Sequence, residues 1–156
     1  AAEDDRAGFA EAAELALALQ SSAERYAETV EQSRSFVEAA SAWTVDCPAW
    51  LGRHLAEPLT LPIAFGALSA LHAVPVHAAV LGFVNAAIGQ QISVGVRLIP
   101  IGQRAGLALQ ARMETRIGTL ADAAVAANLG DVSGIGYGVD IASLRHEDLG
   151  VRIFRS

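Results

Sequence analysis

The chain has 156 residues, 53% hydrophobic and 18% charged, against about 45–50% and about 25% in ordinary globular proteins. That length suits one domain with a real core and excludes a disordered or collagen-like chain. A net charge of -6 argues against bulk electrostatic binding of nucleic acid. All 11 positive charges are Arg and there is no lysine, so Schiff-base and P-loop lysine chemistry are ruled out.

The single cysteine, Cys47, forms no intrachain disulfide and no multi-cysteine zinc site, which fits a reducing, cytoplasmic setting. The opening AAEDDR lacks a methionine, a basic region and an apolar stretch. It is read as carrying no signal peptide and as the start of a fragment. Residues 1–57 hold 11 acids and 4 Arg, a net of -7, and residues 58–156 hold 6 acids and 7 Arg, a net of +1.

Residues 7–20 are rich in Ala and Leu and predict a helix. Over 23–43 the spacing is helical: Tyr26, Val30, Ser33, Val37 and Ala40 form one stripe, with Phe36 and Trp43 beside it. Glu24, Glu28, Glu31 and Glu38 lie opposite, and Arg34 is spaced to pair with Glu31 and Glu38. A short helix is expected over 49–57, with Trp50, Leu51 and Leu55 inward.

Pro58 to Val96 is 39 residues without a formal charge. A membrane span is disfavoured by Pro58, Pro62 and Pro75, by several polar residues and by the absence of basic flanks. Thr60 is placed to cap a helix over 61–73, and Pro75 to start one running to about Leu98. Both are apolar all round and are expected at the centre of a bundle. The small-residue edge Gly82, Ala86, Gly89 and Ser93, with Gly95, suggests a close helix contact there. Residues 103–128 predict a further helix with Leu107, Met113, Ile117, Leu120 and Val125 on its core side. Residues 130–139 read as a glycine-rich hinge, and Asp140 as the cap of a short helix ending near Asp148. No period-2 pattern appears, so the fold class is all-α, a helical bundle, with 1–156 as one domain and 140–156 as an interaction tail.

Ser143, His146 and Asp140 share one short helix, but no oxyanion hole or nucleophile elbow accompanies them, so no catalytic residues are assigned. The pairs His72 with His77, Cys47 with His54, and His146 with Glu147 lack the spacing of metal ligands on one helix face. No metal site or cofactor is therefore expected. The tail interleaves Arg145, Arg152 and Arg155 with Leu144, Ile153 and Phe154, a composition suited to a protein interface.

Several stretches carry a family resemblance. They are Pro62 to Phe65 (PIAF), Gln91 with Ser93, Arg97 to Gln103 (RLIPIGQ), Asp140 to Glu147 (DIASLRHE), and Arg152 to Ser156 (RIFRS). Residues Gln32 to Ser35 fit more loosely. In this order they resemble the urease accessory protein F family (UreF). The resemblance implies an all-α protein without a reaction of its own. It would bind a scaffold accessory protein (UreD/UreH type) and a nickel-carrying GTPase (UreG type), and act with them on apo-urease as a homodimer. The matching motifs imply interface roles for Asp140, Ser143, Arg145, His146, Glu147, Arg152, Phe154, Arg155 and Ser156, and for Arg97 and Gln103. The alternative is a metallochaperone that binds nickel directly through its histidines. Arg104 stands where the family often has a small residue, and an N-terminal helical block usual in the family is absent from this sequence.

Overall fold

In a computed structural model of the chain, residues 5–43, 45–132 and 136–149 are described. Seven α-helices follow one another along them: α1 (Arg6–Ala18), α2 (Ala23–Ala40), α3 (Ala49–Leu55), α4 (Leu61–Leu71), α5 (Val76–Leu98), α6 (Gly102–Ala126) and α7 (Tyr137–Glu147). A 3-10 turn, Leu129–Asp131, lies between α6 and α7, and the described residues contain no strand. The all-α class expected from periodicity is the observed one. The helices group into two compact units, one of residues 1–72 and 129–156, the other of residues 73–128.

In the first unit, local chemistry starts the helices. Asp5 accepts from the Gly8 N–H at 2.8 Å, and Ser22 from the Arg25 N–H at 3.2 Å, each satisfying a donor in the first turn. Thr60 occupies the N-cap position of α4, but its side chain makes no capping bond and its hydroxyl is buried without a partner. The capping acceptor comes instead from α2, where Thr29 Oγ1 receives the Leu61 N–H at 3.0 Å. Pro62 sits in the first turn of α4, where its missing N–H costs nothing.

α2 packs on α4. Ser33 on α2 is buried, as are Ala64, Ala67 and Leu68 on α4, and Phe36 stacks on Phe65 at 5.5 Å. Small residues at this seam let the helix backbones approach. Tyr26, expected on the apolar stripe of α2, and Trp43, expected beside it, are exposed instead. α3 buries Leu51, while Trp50 joins Phe9 and His54 in an aromatic cluster with the Arg6 guanidinium 5.7 Å from the indole. The charge pair that forms on α2 is Arg25 with Glu28, at 2.6 Å.

The second unit is a helical hairpin of α5 and α6. Gly102, with φ of 75°, makes the left-handed step into α6 that a side chain would resist. The tightest approach of the two helices is at Gly106 of α6, and of the α5 glycines Gly89 faces α6, where a Cβ would meet Gln110 Oε1 at 3.7 Å. A Cβ on Gly106 would lie 2.6 Å from Val96 Cγ2, whereas Gly82 and Gly95 face open space.

Two expectations about this hairpin need correction. α5 buries none of its residues, so it is not the centre of a bundle. On α6 the inward residues are Gly106, Ile117 and Ala121, while Leu107, at 73% exposure, Leu120 and Val125 are outside. A two-helix pair covers only one narrow stripe of each partner, and the leucines fall beside that stripe. α5 is long and apolar enough to cross a membrane by length and composition. Its polar groups nevertheless pair with α6: Gln110 donates to Asn85 at 2.7 Å, and His77 to Asp122 at 2.9 Å.

Candidate partner interface

Helix α7 starts at Tyr137, earlier than the start expected after Asp140. Asp140 lies one turn into the helix, and its carboxylate reaches back to the Gly136 N–H at 3.1 Å. That bond satisfies an N-terminal donor and offsets the weak helix propensity of Gly138.

Ser143, His146 and Glu147 are spaced three and four apart and share a face. That face meets the first turn of α2. Ser143 and Ser22 share a hydroxyl hydrogen bond of 2.8 Å. His146 Nδ1 donates to Glu24 Oε2 at 2.6 Å, and the Glu24 backbone N–H donates to Glu147 Oε1 at 2.9 Å. Ser143 and His146 thus bond to different residues of α2, and Asp140 to its own helix start, so the three do not form a relay.

The opposite face of α7 is apolar and open. Tyr137, Ile141 and Leu144 recur at helical spacing and are about half or more exposed, with Arg145 beside them. Among the described residues Arg145 has no salt bridge. The remaining tail positions singled out from sequence, Arg152, Phe154, Arg155 and Ser156, lie outside the described residues.

Arg97 and Gln103 come together in the hairpin unit. Both line a groove of about 550 Å³ between α5 and α6, with Asn85, Ser93 and Gln110 on its polar wall. Arg97 Nε donates to the Ser93 carbonyl at 3.3 Å, which lays the guanidinium along the last turn of α5.

The histidines do not converge. His54 bonds Glu57 at 3.1 Å, His77 bonds Asp122, and His72 and Cys47 are exposed at separate positions. Among the described residues, no three of His, Cys, Asp and Glu are grouped to hold a metal ion.

Sequence reasoning missed Ser22, Glu24 and Thr29 as contact residues. Ser22 followed by Glu24 and Arg25 is legible as a helix start, but nothing local names the α7 side chains that meet it.

A family model described as UreF matches residues 1–114. A urease accessory protein UreF of Rhodopseudomonas palustris (strain TIE-1) is 42% identical over 156 residues, covering 97% of this chain and 64% of that protein. One of Allorhizobium ampelinum is 40% identical over 146 residues, covering 94% of this chain and 62% of its own length. A third, of Rhodopseudomonas palustris (strain HaA2), is 39% identical over 153 residues, or 97% and 65%. The chain therefore spans a little less than two thirds of these relatives.

Proposed function

Because the chain belongs to the UreF family of urease accessory proteins, we propose that it is a non-catalytic adaptor of urease maturation. In this reading it acts in the cytoplasm as a homodimer. It binds a scaffold accessory protein of the UreD/UreH type and a nickel-carrying GTPase of the UreG type. The assembly delivers nickel, its cargo, to apo-urease.

The observation that carries the reading is the orientation of α7. Its polar face is satisfied by α2, while Tyr137, Ile141, Leu144 and Arg145 face outward. Exposed aromatic and aliphatic side chains beside an Arg are the composition of an interface core. Arg152, Phe154 and Arg155 extend the same composition along the sequence. The turn at Arg97 and Gln103 is proposed as a second contact, through the groove it shares with Asn85 and Gln110.

The test is co-purification of this chain with the scaffold and the GTPase, with and without residues 134–156, sized by light scattering. A complex that forms only with the tail is the expected result. Equal assembly of both chains would remove the tail from the interface. Absence of assembly by the intact chain would remove the adaptor reading.

A further inference from the structure

The charge of the chain changes sign in the hairpin unit. Residues 73–128 hold Arg97, Arg104, Arg112 and Arg116 against Glu114 and Asp122, a net of +2, while the other residues hold 7 Arg and 15 acids, a net of -8. The groove between α5 and α6 sharpens this difference. Among the described residues no Asp or Glu lines it, and its cation, Arg97, forms no salt bridge. The bond from Arg97 Nε to the Ser93 carbonyl steadies the guanidinium and leaves both of its NH2 groups. Together they form the fork that takes a carboxylate in two parallel hydrogen bonds.

Asn85 and Gln110 stand at the far end of the groove. Gln110 donates to Asn85 at 2.7 Å, which leaves the Asn85 N–H groups and the Gln110 carbonyl oxygen for a ligand. A donor beside an acceptor matches the C=O and N–H of an extended peptide backbone. Gly89 keeps this stretch open, since a Cβ there would stand 3.7 Å from that Gln110 oxygen. The run of α5 from Asn85 to Arg97 is about 18 Å long at about 1.5 Å per residue. That is the length of about five extended residues at about 3.3 Å each. A small carboxylate would fill only the Arg97 end.

We infer that the α5–α6 groove binds an extended acidic peptide segment of a partner protein, with a Glu or Asp side chain on Arg97 and the peptide backbone on Asn85 and Gln110. This deepens the second contact proposed above and rests on that reading for the partner. The recognition chemistry belongs to this chain alone.

Nuclear magnetic resonance of the isotope-labelled intact chain tests it. The probes are a terminally blocked five-residue peptide of alanines with one glutamate, its glutamine counterpart, and acetate. The glutamate peptide should shift amide signals within residues 85–110 and bind about tenfold more tightly than the glutamine peptide, the difference made by one charge-assisted pair. Arg97→Gln should erase that difference. Ala86→Phe, at an exposed position on the groove wall, should weaken both peptides. Three results would overturn the proposal: equal binding of the two peptides, no shifts at about 10 mM peptide, or acetate binding as tightly as the glutamate peptide. Peptide binding by a chain that assembles with neither scaffold nor GTPase would keep the groove and remove the adaptor reading. Assembly without peptide binding would do the reverse.

Discussion

The hydroxyl of Thr29 serves a helix that begins 32 residues further along the chain. Thr29→Val keeps the side-chain shape and removes the acceptor, leaving the Leu61 N–H in a part-buried site. The expected cost is about 1 kcal/mol, measured by urea unfolding. Ala73, just after α4, adopts φ of 54°, a conformation that costs a residue with a Cβ about 1–2 kcal/mol. Ala73→Gly relieves that strain but adds freedom to the unfolded chain. The net expectation is stabilisation of up to about 1 kcal/mol, seen as a raised Tm. Neither site was legible from its neighbours. Thr60 stands where a cap belongs, yet the cap comes from another helix, and Ala73 carries no mark of a left-handed residue.

At the scale of helices, periodicity finds the element more surely than the face it buries. The pattern over 103–128 offered Leu107, Met113, Ile117, Leu120 and Val125 as core; Ile117 is buried, with Gly106 and Ala121, but Leu107, Leu120 and Val125 are exposed. Ile117→Ala is expected to cost about 2–4 kcal/mol, whereas Leu107→Ala should stay within about 0.5 kcal/mol. Thermal melts of the two variants check this facing. Gly106→Ala would press a methyl group against Val96, a β-branched side chain with little rotamer freedom. Overpacking of this kind outweighs the gain in helix propensity, so a net loss of about 1 kcal/mol is expected. For α7, replacing Ile141 and Arg145 together by Ala should weaken scaffold binding at least about tenfold, as loss of interface-core side chains does. Calorimetry reads it, and the hydrogen exchange of α7 should change little because its bonds to α2 come from Ser143, His146 and Glu147.

Over the whole molecule, the separation of charge was visible before any fold. The strongly acidic first part supplies α1 to α3, and the 39 uncharged residues supply α4 and most of α5. Composition and 3.6-residue spacing were enough for the all-α class and for most helix boundaries to within a few residues, because hydrogen bonds inside a helix are local. The ordered motifs from Pro62 to the C-terminus were enough for the family. Thr29 as the cap of α4 and the pairing of His146 with Glu24 were not legible. Each depends on which surfaces meet across 32 to 122 residues of chain, and no local pattern encodes a contact between segments so far apart.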